Sequence, residues 1–208
     1  MTLPERSADF IEPEGPDLAA MRSAIDELVD GRFKVEILGG EIIVSPLART
    51  LHDIIVSRLH AAFARTLDED VYQVSQRVEF LVDESNSPQP DLAVMDAVLR
   101  DDTLDATEYA PEDAFLVVEV TSPSNAPSDR KWGLKYKAYA KGLVPIYLLI
   151  DAYAQDGPSV TLFTDPTGTR YRSETLVPFG KKLSLPEPFD AVVIDTSTFP
   201  TPSPAAEA

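Results

Sequence analysis

Two acidic side chains stand where a folded chain tolerates them only with help. In Leu116-Val117-Val118-Glu119-Val120-Thr121 a carboxylate interrupts an apolar run whose neighbours would be buried on both faces of a sheet. Burying a carboxylate without a partner is costly, so Glu119 needs a cation. Asp91 poses the same problem at the head of Asp91-Leu92-Ala93-Val94-Met95, directly after Pro88-Gln89-Pro90. Neighbouring strands lie about 4.8 Å apart, so the two carboxylates can share one divalent ion if their strands pair. Taken singly, either acid could instead sit at a strand end, paired with an arginine or capping a turn.

The rest of the composition limits which ion that would be. The chain has no cysteine and only two histidines, which excludes disulfides, thiolate metal sites and cysteine nucleophiles and leaves little for a multi-imidazole zinc site. A metal held by carboxylates suits Mg²⁺ or Mn²⁺. A formal net charge of −17 argues against wrapping nucleic acid nonspecifically, because phosphate contacts need Lys and Arg to release counterions. The charges are unevenly placed: residues 83–119 are acid-rich with Arg100 as their sole base, and residues 130–141 carry Arg130, Lys131, Lys135, Lys137 and Lys141 and no acid. Solvated faces of an acidic protein would give the same pattern.

A helix predicted over 129–141 and closed by Gly142 tests these cations by geometry. At about 100° per residue, Trp132, Tyr136, Tyr139 and Leu143 cluster into one stripe, read as core rather than as base-stacking surface. Lys135 falls at the edge of that stripe with Lys131 beside it, while Arg130, Lys137 and Lys141 face solvent. Lys135 is thus the lysine best placed to lean toward the sheet, or a snorkelling side chain that covers apolar surface.

The elements that must position these groups are legible in outline. Leu18, Met21, Ile25 and Leu28 recur at helical spacing before Gly31, and strands 33–38 and 41–44 flank Gly39-Gly40, a dipeptide suited to the positive φ angles of a two-residue hairpin turn. Leu51, Ile55, Leu59, Ala62 and Phe63 line a second helix, entered by His52 on its apolar face. Segments 71–82, 91–95, 115–120, 144–150, 160–163, 170–175 and 191–194 read as strands. The sum is an α/β or α+β domain, a central mixed sheet with helices packed on it. Residues 1–16 are expected to be flexible, 17–195 to form one domain and 196–208 to be a disordered Pro-rich tail. No apolar run approaches the roughly 18 residues of a membrane span, and the start lacks a signal-peptide pattern, which points to the cytoplasm.

The motifs also carry a resemblance. Pro90-Asp91, then Val118-Glu119-Val120-Thr121-Ser122-Pro123-Ser124, then Asp129-Arg130-Lys131 with Lys135, Tyr139 and the stretch from Gly142 to Asp151 resemble the Uma-two family of endonuclease-like proteins. Gly40-Glu41, Ser45-Pro46 and His52 resemble its amino-terminal pattern. That family is assigned to the restriction-endonuclease-like PD-(D/E)xK fold, and the resemblance implies a metal-dependent endonuclease hydrolysing phosphodiester bonds of DNA. It puts Asp91 in the PD element and Glu119 in the (D/E) position. Thr121 stands where the motif has lysine, and the resemblance implies a replacement from the following helix, the position the helical geometry independently gives Lys135. Asp91 and Glu119, with Glu41 and the backbone carbonyl of Val120, are then the expected ligands of Mg²⁺ or Mn²⁺, and Lys135 is expected to orient a water or offset phosphoryl charge. His52, Thr121, Ser122 and Lys131 are candidates for substrate contact or support; for His52 a hydrogen-bonded core histidine is the competing expectation, and for Ser122 a strand-ending cap. A homodimer is expected if both strands of a duplex are cut. The alternative is a catalytically degenerate member of the same fold, acting as a binding or regulatory module.

Overall fold

The computed structural model describes residues 17–46, 50–97 and 108–202; the flexible segment expected at 1–16, the acids Asp101, Asp102 and Asp105, and Arg100 lie outside the described residues. From the amino end the chain runs through α1 (Leu18–Val29), β1 (Phe33–Leu38), β2 (Glu41–Pro46), α2 (Thr50–Thr66), β3 (Tyr72–Ser75), β4 (Glu79–Phe80), β5 (Leu92–Asp96), β6 (Glu108–Tyr109) and β7 (Ala114–Val120). It continues through α3 (Ala126–Asp129), α4 (Leu134–Lys141), β8 (Ile146–Asp151), β9 (Ser159–Pro166), β10 (Tyr171–Pro178), β11 (Lys182–Ser184) and β12 (Val193–Asp195).

Six strands form one mixed sheet in the order β10-β9-β8-β7-β5-β3, flanked by helices as the pattern of elements implied. β7 and β8 pair in parallel and the other neighbours are antiparallel. A parallel pair cannot be closed by a tight turn and needs a crossover. The segment carrying α3 and α4 is that crossover, so the topology itself lays α4 over one face of the central strands. Side-chain alternation then sorts β7: Leu116, Val118 and Val120 pack with Ile55, Val56, Leu59 and Phe63 of α2, whereas Val117 packs with Tyr136, Tyr139 and Ala140 of α4. Glu119 shares the parity of Val117 and faces α4.

Aromatic packing fixes α4 on that face. The Tyr136 ring lies 5.1 Å from Phe163 and 5.5 Å from Tyr171, and the Tyr139 ring 5.2 Å from Tyr147. Burying each such side chain contributes about 1.5–3 kcal/mol. At the other edge, Gly39 and Gly40 turn the hairpin with φ of 63° and 79°, joining Leu38 to Glu41 in register. The hairpin is pinned to the segment before β5: the Gly39 N–H donates to Asn86 Oδ1 at 3.0 Å and the Ser87 N–H to the Ile37 carbonyl at 2.7 Å.

Several expectations are corrected. The helix predicted over 129–141 is broken: α3 ends at Asp129, Trp132 takes φ 69° and α4 starts only at Leu134. Trp132 and Leu143, placed in the core by continuous helical spacing, are 51% and 56% exposed. The strand expected over 71–82 breaks at Arg77, φ 60°, between β3 and β4. No residue of α1 is buried. Order also extends past 195: residues Thr196–Thr198 form a 3-10 turn, the Thr196 hydroxyl donates to the Lys181 carbonyl at 2.7 Å, and Phe199 packs 5.4 Å from Phe179.

Candidate active site

Antiparallel pairing brings the two acids together. Leu92 pairs with Val118 and Ala93 with Val117, and continuing that register by one residue sets Asp91 opposite Glu119. The Asp91 N–H donates to the Val118 carbonyl at 3.0 Å, and the Val120 N–H donates to Asp91 Oδ2 at 2.8 Å. The same oxygen lies 2.8 Å from His52 Nε2, delivered by the first turn of α2. Lys34 Nζ stands 3.7 Å from Asp91 Oδ1.

Lys135 reaches Glu119 from α4. Its ammonium donates to Glu119 Oε1 at 2.9 Å and to the Gln89 carbonyl at 3.2 Å, and lies 3.0 Å from Glu36 Oε1. An ammonium has three N–H donors, and all three are engaged. The Tyr139 hydroxyl, one turn further along α4, donates to the same Glu119 oxygen at 2.5 Å. Glu36 enters because β1 is pinned beside Gln89, whose N–H donates to Glu36 Oε1 at 2.7 Å. Glu119 Oε2 is buried and has no hydrogen-bond partner among the described residues.

The electrostatics follow from this crowding. Burial alone would push the Asp91 carboxyl up, but Lys34, His52 and Lys135 outweigh it and hold Asp91 well below the usual carboxylate range. Burial dominates at Glu119: despite Lys135 and Lys34, and with Asp91 and Glu36 adding repulsion, its carboxyl is pushed up to about 7. Burial also opposes the Lys135 ammonium, yet Glu119, Glu36, Asp129 and Asp91 keep it charged, well above the ordinary range. The pair thus pulls two ways. The lysine is charged, and the surplus of buried acid over cation lets Glu119 keep its proton up to near neutral pH. Asp129, buried with both carboxyl oxygens unpartnered, is pushed up in the same way by burial and by Glu119.

A model of the Uma2 family, described as "Putative restriction endonuclease", matches residues 23–197. The chain belongs to the Uma2 family. Among solved structures, it resembles a crystal structure titled a putative nuclease belonging to DUF820 from Anabaena variabilis ATCC 29413. The TM-score is 0.62 at 14% identity, with 84% of this chain and 96% of that one covered; at that identity the likeness establishes the fold. No curated protein matches the sequence.

Within this Uma2 domain the acids and the lysine singled out from the sequence lie together, with His52 and the Val120 N–H on Asp91, whereas Glu41, Lys131 and Thr121 do not join them. Glu41 is exposed at the far end of the hairpin; the acid that β1 brings in is Glu36. Lys131 lies in the break between α3 and α4 and pairs with Glu174 on β10. Thr121 donates its hydroxyl to Asp151 Oδ1 at 3.0 Å, and Arg130 holds Asp151 Oδ2 at 2.7 Å, so both shape the strand end. Ser122 donates its N–H to Asn125 Oδ1 at 2.6 Å in the turn before α3 and lines the cleft. Val120 contributes its N–H to Asp91. Sequence reasoning missed Lys34, Glu36, Gln89 and the hydroxyl of Tyr139. A signal for the first two existed: Lys34 and Glu36 alternate with Val35 and Ile37 at strand spacing, and Glu36 interrupts an apolar run as Glu119 does.

The site opens onto a cleft of about 620 Å³ lined by Lys34, Glu36, His52, Arg77, Asp91 and Ser122, among others. Glu119 is fully buried behind it. Mg²⁺ commonly uses one or two carboxylates and completes its shell with water and phosphate oxygens. The unpartnered Glu119 Oε2 and Asp91 Oδ1, whose nearest cation is beyond hydrogen-bonding distance, fit such an ion. Among the described residues no group of three or more histidines and acids forms a cage, so the fit is to a water-rich ion rather than to a closed structural site.

Proposed function

We propose that this protein is a metal-dependent nuclease that hydrolyses phosphodiester bonds of DNA at Asp91 and Glu119. The observation that carries the proposal is the buried, unpartnered Glu119 Oε2 beside Asp91, with Lys135 bonded to the other Glu119 oxygen. Asp91 and Glu119 would hold Mg²⁺ or Mn²⁺, which when bound supplies positive charge to the phosphate and acidity to a water. His52 and the Val120 N–H fix Asp91 Oδ2, and Oδ1 is the oxygen that would hold such an ion. Lys135, with its donors engaged, keeps Glu119 and Glu36 oriented rather than touching the water. The cation free to meet a phosphoryl oxygen is Lys34, which lines the cleft and stands 3.7 Å from both Glu36 and Asp91.

A second reading, a catalytically inert member of the fold that serves as a binding module, is favoured by the saturated Lys135 and by the burial of Glu119. Calorimetric titration with Mn²⁺ and a nuclease assay separate the two. The nuclease binds the ion at millimolar concentration or tighter, loses it in Asp91→Ala, and loses cleavage in Glu119→Gln. An inert scaffold shows no difference between wild type and variants, and that outcome would end the nuclease reading.

A further inference from the structure

The shape and charge of the entrance to this site bear on its substrate. Building on the nuclease function proposed for Asp91 and Glu119, we infer that the cleft takes an unpaired DNA strand rather than an intact duplex, with Arg77 at its edge binding a phosphate next to the reacting one. The reacting groups are recessed: the Asp91 side chain is 11% exposed and Glu119 not at all, so a phosphate must enter the cleft to reach them. A space of about 620 Å³ falls within the size range of small-ligand pockets, roughly 300–1,000 Å³, enough for a nucleotide-sized segment to enter.

Charge points the same way. A duplex carries about one negative charge per 1.7 Å of axis, and a chain of net charge −17 offers it little to replace released counterions. Of the cleft's other cations, Arg22 pairs with Glu79 at 2.5 Å, and Lys34, 3.7 Å from both Glu36 and Asp91, stands at the reacting phosphate rather than at the one next to it. Acids Asp26 and Asp53 also line it, so the cleft is not the continuous basic track that a duplex backbone requires.

Arg77 differs from these. It is exposed, lines the cleft, and has no acid paired with it among the described residues. Its backbone takes φ 60°, a conformation that glycine or asparagine adopts more readily than arginine. It follows β3, whose Ser75 pairs with Ala93, so the turn leaves the sheet beside Asp91. The strand order β7-β5-β3 then places Glu119, Asp91 and the Arg77 turn in succession across the sheet, so a strand crossing it in that direction would meet all three. A substrate of this kind needs one active site per cut and no second copy of the chain.

The test uses the full chain with Mn²⁺ and three substrates: a DNA strand of about 20 nucleotides, the same sequence as a blunt duplex, and bis(4-nitrophenyl) phosphate, a small phosphodiester without bases. The strand is expected to be cut at least about ten-fold faster than the duplex. Arg77→Gly suits the backbone of that turn and removes the guanidinium. It is expected to raise KM for the strand about five-fold or more with kcat changed less than about two-fold, and to flatten the salt dependence of binding by about one phosphate contact. Equal or faster cutting of the duplex, or an Arg77→Gly strand KM unchanged, overturns the inference and leaves the nuclease reading standing. Hydrolysis of the small diester alone removes DNA as substrate, and with it the inference. If none of the three is hydrolysed, the nuclease reading itself fails.

Discussion

Glu119→Gln should make this protein more stable at neutral and alkaline pH, relative to wild type, than at acid pH. Burial holds the Glu119 carboxyl at about 7 in the folded chain against an ordinary 4.5. A group raised on folding contributes stability that is fully present below its unfolded value and is lost as pH rises through its folded value. With roughly 1 kcal/mol or slightly more for each tenfold change in protonation, wild type loses about 2–3 kcal/mol from this group between about pH 5 and pH 8. Glutamine is neutral at both. Whatever constant penalty the amide brings beside Lys135 and Tyr139 cancels when the two pH values are compared. Urea denaturation of both proteins in the presence of a chelator, at the two pH values, measures the difference directly. For a chain of this size that amounts to roughly 5–10 °C in Tm. A variant-minus-wild-type stability that is the same at both pH values would show that Glu119 folds already ionised, and the surplus-acid account of the site would fall. Added Mg²⁺ should shrink the wild-type pH dependence, because a bound ion takes the place of the proton.

Four further outcomes are expected from the same geometry. Lys135→Met leaves Glu36 and Glu119 buried without their shared cation and should cost about 3–5 kcal/mol, read by denaturant midpoint. His52 is opposed by burial but raised overall by Asp91 and Asp53; in Asp91→Asn the imidazole should titrate at lower pH than in wild type, observable by NMR titration, whereas an unchanged value would mean that Asp91 does not govern His52. Gly133→Ala would set a Cβ 2.2 Å from the Ser128 carbonyl oxygen and 2.4 Å from that of Pro127; these are backbone atoms that cannot swing away, so the α3–α4 junction must shift at a cost of about 1–3 kcal/mol or more, with Lys135 displaced and Mn²⁺ affinity reduced. Lys131→Ala removes an exposed pair with Glu174 and a contact with the exposed Trp132 ring at 5.9 Å, and should change stability by less than about 1 kcal/mol while leaving cleavage intact; a large loss of activity would return Lys131 to the site.

The elements legible in the sequence are those whose signal is local. The hairpin follows from two adjacent glycines that can both hold positive φ, and the central strands from apolar runs with few alternatives. The break between α3 and α4 is illegible because periodicity assumes one continuous helix: a turn at Trp132, set by the packing of Gly133 against the Ser128 carbonyl, resets the phase. Helical spacing therefore misplaces Trp132 and Lys131 but not Lys135, which lies inside the true helix. Thr196 and Phe199 read as tail because proline-rich composition hides a side chain that packs on a distant ring.

By itself the sequence determined that two carboxylates occupy positions where burial demands a cation, and that the following segment could supply one, since the cost of desolvating a charge can be read from an apolar neighbourhood alone. Which cation, and which other acids, only the tertiary structure decided. The parallel pairing of β7 and β8 forces a crossover that brings Lys135 and Tyr139 over Glu119, and the pinning of β1 to Gln89 admits Glu36 and Lys34 in place of Glu41. Glu119 and Lys135 are 16 positions apart and Glu36 and Gln89 are 53, and no local pattern encodes a distance across a sheet.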